Sequence, residues 1–244
     1  MDKKELHGIC LHFLETSVRC HLLKRRTLKE EQLRWVHRAC VGADFRTQLA
    51  SPIERVRFVV LDTETTGLHA YSGDQVVSVA LIELKGLEIT GREYSILVNP
   101  GRSIPPGATA IHGLTDKDVE TSPTLETVIA DIVGFIGDAI IVGHHIKFDV
   151  RFLNKTLRKS ALCALRNPCI DTMLLYLSLT GRYGRHTLED VAQFCGVTIK
   201  NRHTAYGDAS ATARVFRELG HRLITADKGV TNLLRSQGQT AAGL

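Results

Sequence analysis

From Val56 the chain runs through "VRFVVLD", "QVVSVALIELKG" and "REYSILVNP", three β-branched stretches at hairpin spacing with Gly86 and Gly91 near the intervening turn. Strand-rich runs separated by short Gly-containing turns pair with their neighbours in sequence, so this region predicts an antiparallel meander. The first run ends in Asp62 and Glu64. Burying ionised carboxylates is costly unless a cation or a hydrogen-bond network compensates them. Residues two apart on a strand share a side, so the two carboxylates would stand together at the strand's end and repel each other. Protonation of one, or a bound divalent cation, relieves that repulsion, and hard oxygen ligands suit Mg²⁺ or Mn²⁺.

Downstream the pattern changes to strand followed by helix. "SIPPGATAIHGLT" is rich in Pro and Gly and reads as a loop. Ser122 and Pro123 supply an N-cap and a first-turn proline for a helix over "TLETVIADIVGFIG". "AIIVGHH" is a short buried strand, followed by a helix from about Asp149 to Lys159. Further helices are expected near Thr187, which makes a capping pair with Asp190, and near Asp208. Strands first, then strand–helix alternation, predict an α/β domain with a mixed sheet flanked by helices.

Residues 1–52 form an expected helical N-terminal extension. Leu6, Ile9, Cys10, Phe13 and Leu14 recur at helical spacing, and Thr27 with Glu30 makes a capping box ahead of Leu33, Val36 and Cys40. The α/β region is expected at 56–222 and a flexible, frayed tail at 226–244. An apolar fraction of 43% with 23% charged residues excludes a disordered chain. The formal charge of +5 is concentrated in residues 1–55, with 11 Lys+Arg against 7 Asp+Glu. That excess permits phosphate contacts, although a solvated helix face accounts for it as well. Six cysteines without a CxxC pair predict reduced thiols rather than a zinc site. The absence of a long apolar stretch and of a secretory apolar core predicts a cytoplasmic protein with no membrane partner.

Asp149, in "GHHIKFDVRFL", and Asp208, five residues after His203 in "HTAYGD", each stand at the edge of an apolar element. Capping explains either alone; four carboxylates and a His in such positions point to one site. At this point "DTETTGL", "GHHIKFDVRFL" and "HTAYGD" resemble the three ordered motifs of the DnaQ-like DEDDh 3'-5' exonucleases, the family of the proofreading epsilon subunit of bacterial replicative DNA polymerase. "IHGLT" at 111–115 is similar to a segment which that family places between its first and second motifs. The resemblance covers about residues 56–222. It implies a ribonuclease H-like mixed five-stranded sheet flanked by helices, and a two-cation mechanism with Mg²⁺ or Mn²⁺. Asp62, Glu64, Asp149 and Asp208 would be the metal ligands and His203 the acceptor of the attacking water's proton. Thr65, Thr66, Gly67, Leu68, Ile111 and His112 would meet the terminal nucleotide. One departure is His145, where the family usually has Asn. The resemblance implies removal of nucleoside 5'-monophosphates from DNA 3' ends, single-stranded ones foremost, in proofreading or repair, with a DNA polymerase subunit as a candidate partner. RNA 3'-end trimming and a non-catalytic nucleic-acid-binding adaptor are the alternatives.

Overall fold

The structure, a computed structural model, describes residues 29–224 and 229–242. The expected first N-terminal helix and the capping residue Thr27 lie outside them. The chain continues through α1 (Glu30–Val41), α2 (Arg46–Ala50), β1 (Arg57–Thr65), β2 (Val76–Lys85), β3 (Glu88–Leu97), α3 (Pro106–His112), α4 (Asp116–Val119), α5 (Leu125–Ile136), β4 (Ile140–Gly143), α6 (Lys147–Ala161), β5 (Cys169–Asp171), α7 (Thr172–Thr180), α8 (Leu188–Cys195), α9 (Ala205–Leu223) and α10 (Val230–Ala242).

The five strands form one sheet in the order β3-β2-β1-β4-β5. β1, β2 and β3 are the predicted antiparallel meander. β4 and β5 run parallel to β1, each reached through helical crossovers. Together these make the ribonuclease H-like mixed sheet. β1 is central, and its alternating side chains build two cores. Phe58 and Val60 face α7, α8, α9 and α10, with the Phe58 ring 4.9 Å from Phe216 on α9. Val59 and Leu61 face α5 and α6, and α1 packs outside them through Val36, Cys40 and Trp35. A Cβ on Gly134 of α5 would lie 3.3 Å from the Trp35 ring, so the absence of a side chain there lets α1 seat closely. His37 of α1 meets the Ala161 carbonyl at the end of α6 at 2.9 Å.

Several expectations are corrected. Residues 106–112, read as a loop, form α3: Pro106 occupies the first helical position, and Gly113 at φ 76° ends the helix in a left-handed cap. The helix at 125–136 starts after Thr124 rather than Ser122. The 226–244 segment, expected as a frayed tail, contains α10, with Val230 and Leu233 buried. α10 also closes the sheet's edge. The Gln237 side-chain amide donates to the Cys169 carbonyl at 2.5 Å and accepts from the Asp171 amide at 2.9 Å, taking the place of a further strand beside β5. Among the described residues no helix is long and apolar enough to cross a membrane.

Candidate active site

The C-terminal end of β1 carries Asp62 and Glu64 toward α9, while Thr63 between them points to the opposite side, toward α6. Asp62 pairs with Ala80 and Glu64 with Ser78 of β2, and the register shifts immediately after Glu64. From α9, Asp208 reaches the same place: one oxygen from each of Asp62, Glu64 and Asp208 lies within 4.8 Å of the others. Asp149 approaches from the other layer. It is buried in the first turn of α6, and its Oδ1 accepts from the Thr63 amide at 2.9 Å and the Thr63 hydroxyl at 2.7 Å. Three carboxylates therefore meet at the end of the central strand, and Asp149 is anchored from the other layer on Thr63, between Asp62 and Glu64 in sequence.

Their electrostatics match this crowding. Burial, followed by the charges of Asp149, Asp208 and Glu64, pushes the Asp62 carboxyl well above the usual carboxylate range. Burial and then the charge of Asp208 push Glu64 up to about 7. Asp149 also rises to about 7, chiefly through burial, against the opposing Thr63 donors. Asp208 is raised by burial and pulled back by Arg202 and His203. Its Oδ1 is buried with no hydrogen-bond partner, while Oδ2 meets the Arg202 guanidinium. Three clustered oxygen donors of raised basicity with one orphaned buried oxygen fit a hard divalent cation.

His203 lies beside Asp208 on the turn that leads into α9, at a left-handed φ of 62°; Asn201, two residues earlier, has φ 52°. Non-Gly residues in this region carry strain, which the surrounding packing must hold. Gly207 makes the packing feasible: a Cβ there would collide with the carbonyl oxygens of Asn201 and Lys200, the latter at 2.6 Å. Thr204 caps α9 by accepting from the Gly207 amide at 3.0 Å. Asp208 is thus an inward-facing residue of the first turn, not its cap.

The expected terminal-nucleotide residues differ in their exposure. Leu68 and Ile111 are 71% and 59% exposed. Thr65, Thr66 and His112 are buried. The Thr66 amide is already taken by the Gln75 carbonyl at 2.8 Å, so it is not available to a terminal hydroxyl. The Thr65 hydroxyl donates to the Gly67 carbonyl at 2.7 Å, and His112 Nδ1 accepts from the Leu114 amide at 3.1 Å. Asp74 organises this loop: it accepts from the His69 amide at 2.9 Å and the Thr66 hydroxyl at 3.3 Å, and its carbonyl accepts from Lys155 at 2.8 Å. The sequence reading missed Asp74, Gly207 and Arg202, whose roles arise only from chain segments brought together by folding.

His144 and His145 are structural, as expected. His144 bridges the Thr172 hydroxyl at 3.1 Å and the His186 carbonyl at 3.0 Å, and burial lowers its pKa to about 4. His145 has φ 58°, and its amide donates to Asp171 at 3.2 Å. Asn and His are both enriched in the left-handed region, so His replaces Asn here without changing the backbone.

A carboxylate cluster at the end of the central strand of a ribonuclease H-like sheet defines the class of a metal-binding hydrolase of phosphodiesters. The chain belongs to the exonuclease family, whose sequence profile matches residues 59–216. This agrees with the DnaQ-like resemblance of the motifs. The DNA polymerase III subunit epsilon-like protein of Rhodobacter capsulatus is 39% identical over 174 residues, covering 69% of this chain and 24% of that protein. The DNA polymerase III subunit epsilon of Aquifex aeolicus is 32% identical over 159 residues, covering 65% of this chain and 78% of that protein. The PolC-type DNA polymerase III of Thermotoga maritima is 35% identical over 159 residues, covering 65% of this chain and 11% of that protein. The chain thus spans a quarter or less of the Rhodobacter and Thermotoga relatives. Among solved structures, Exonuclease X in complex with 5' overhanging duplex DNA shares the fold at TM-score 0.60 and 24% identity, covering 74% of this chain and 99% of that one. The zinc-bound E. coli ExoI–ssDNA complex does so at TM-score 0.60 and 19% identity, covering 69% of this chain and 41% of that one.

Proposed function

We propose that the chain is a metal-dependent 3'-5' exonuclease that removes nucleoside 5'-monophosphates from DNA 3' ends, in proofreading or repair. The observation that carries this reading is the meeting of Asp62, Glu64 and Asp208 within 4.8 Å, with the charge of Asp149 acting on Asp62. Asp62, Glu64 and Asp208 would hold divalent cations, Mg²⁺ or Mn²⁺, with Asp149 in support. Two such cations supply charge stabilisation for the attacking and leaving oxygens of a phosphodiester. The chain's own groups do the rest. His203 accepts the proton of the attacking water, a task suited to an imidazole near neutral pH. Leu68 and Ile111 pack against the terminal base, and the loop from Thr65 to Gly67, held by the Thr66–Gln75 and Thr65–Gly67 bonds, shapes the place of the terminal sugar without using the Thr66 amide. Thr63 fixes Asp149 so that its carboxylate keeps its place when charge changes around it. The DNA preference and a polymerase partner are supported by relatives named as DNA polymerase III subunits and by neighbours solved with DNA.

The test is a time course on a 5'-labelled single-stranded DNA oligonucleotide and its RNA equivalent, in Mg²⁺, Mn²⁺ and EDTA, with wild type and Asp62→Ala. A metal-dependent ladder shortening DNA from its 3' end, lost in the variant, is expected. Faster shortening of the RNA would replace DNA as the substrate. No shortening of either would refute catalysis and favour an adaptor.

A further inference from the structure

Arg202 stands between two acids. On one side its guanidinium meets Oδ2 of Asp208, a side chain only 7% exposed. On the other it engages both carboxylate oxygens of Glu189 at the start of α8, through Nε and through Nη2, the latter at 3.2 Å. This forked grip on Glu189 fixes the direction in which the guanidinium points. The remaining oxygen of Asp208 is buried without a partner, and Asp208 is one of the three carboxylates gathered within 4.8 Å. One carboxylate therefore faces two claims: the Arg202 guanidinium on its Oδ2, and the inorganic cation that the three-carboxylate cluster suits.

The two claims oppose each other. A positive guanidinium offsets the mutual repulsion of Asp62, Glu64 and Asp208, but it repels a divalent cation placed among them. A phosphate of a bound strand would reverse the balance, because it offers the guanidinium a bidentate partner of its own. We propose that Arg202 is a positioning residue that competes with divalent cations for the Asp208 carboxylate and is drawn off by a strand phosphate, so that cation and nucleic acid bind cooperatively through it. Glu189 is the tether that keeps Arg202 at the rim. The inference rests on the metal-dependent nuclease reading and adds to it a coupling between cofactor and substrate.

The test is Mn²⁺ binding to the full chain, followed by calorimetry without turnover, with and without thymidine 5'-monophosphate. For Arg202→Gln, Mn²⁺ affinity should rise by about tenfold or more. The monophosphate should tighten Mn²⁺ binding several-fold in wild type and much less in this variant. Arg202→Lys, which keeps the charge, should bind Mn²⁺ close to wild type. Glu189→Gln, which loosens the tether, should fall between wild type and Arg202→Gln and serves as the reporter if Arg202→Gln does not fold. If wild type binds no Mn²⁺, or binds it equally well after Glu64→Gln, the metal-dependent reading falls and this inference with it. If Mn²⁺ binding needs Glu64 but neither Arg202→Gln nor Glu189→Gln tightens it, or the monophosphate acts equally on all forms, the role of Arg202 is overturned and the nuclease reading stands.

Discussion

Gly67→Ala isolates the loop that would receive the terminal nucleotide. A Cβ at Gly67 would meet the Asp74 carboxylate, with Cγ at 2.7 Å and Oδ1 at 2.8 Å. Ordinary van der Waals contact begins more than half an ångström farther out. Asp74 must therefore retreat, and the bond it accepts from the His69 amide at 2.9 Å has little slack. A hydrogen bond to a charged group contributes about 1.5–3 kcal/mol, so a loss of about 2 kcal/mol is expected. For a chain of this size that lowers the thermal midpoint by about 4–8 °C. The carboxylate cluster on β1 does not move, so KM for an oligonucleotide should rise severalfold while kcat changes little. Asp74→Ala removes the obstacle. In its background the added methyl should cost much less, giving a coupling of about 1 kcal/mol or more in a double-mutant cycle by thermal or urea unfolding. Gly107→Ala is the control: a Cβ there meets nothing within 4 Å, and it sits within α3. Its stability should be unchanged or higher. Wild-type stability and KM for Gly67→Ala would refute the claim that close packing of Gly67 on Asp74 holds this loop.

In EDTA, stability should fall as pH rises from about 4 to about 7. Glu64 and Asp149, raised to about 7 by burial, keep protons in the folded chain that the unfolded chain has released above about pH 4, so their contribution is complete at the acidic end and lost as pH approaches 7. Glu64→Gln should flatten that slope in a thermal-melt series, and an unchanged slope would contradict the assignment; Mn²⁺ at pH 7 should restore the lost stability in wild type. Gly207→Ala would drive a methyl into the carbonyls of Lys200 and Asn201 and shift the His203 turn. A displacement of about 1 Å can cost about 100-fold in rate, so kcat should drop by that order, and full activity would show that the turn is not position-critical. Gln237→Ala leaves the Asp171 amide and the Cys169 carbonyl at the sheet edge without their α10 partner. A cost of about 1–3 kcal/mol in urea unfolding and faster hydrogen exchange at Asp171 should follow, whereas unchanged protection would mean that α10 does not close the sheet.

The meander was legible because β1 and β2 are apolar, β-branched runs of nine and ten residues, and β3 follows β2 directly across a turn at Gly86. β5 was not located: three residues, "CID", carry no period, and their edge is completed by Gln237, more than 60 residues away. α3 was mistaken for a loop because Pro105, Pro106 and Gly107 punctuate chains in general, although a proline at the first helical position and a glycine after the last also delimit a helix. α7, "TMLLYLSLT", escaped notice because apolar residues surround it and leave no amphipathic stripe.

The same distinction separates the site residues that were visible from those that were not. Asp62, Glu64, Asp149 and Asp208 stood out together: each is a charge at the edge of an apolar run, and although capping accounts for Asp149 or Asp208 alone, four such carboxylates in three ordered motifs point to one site. Arg202, Asp74 and Gly207 lie in polar or turn-rich stretches where a charge or a glycine is ordinary. Their importance comes from how turns fold back on neighbouring elements: Arg202 links α8 to α9, Asp74 holds the turn that follows β1, and Gly207 lets residues 200–201 press against a helix. The chemical groups of such a site are visible in the combination of its motifs, while the groups that hold them in position become apparent only once the two layers of the domain close around the end of β1.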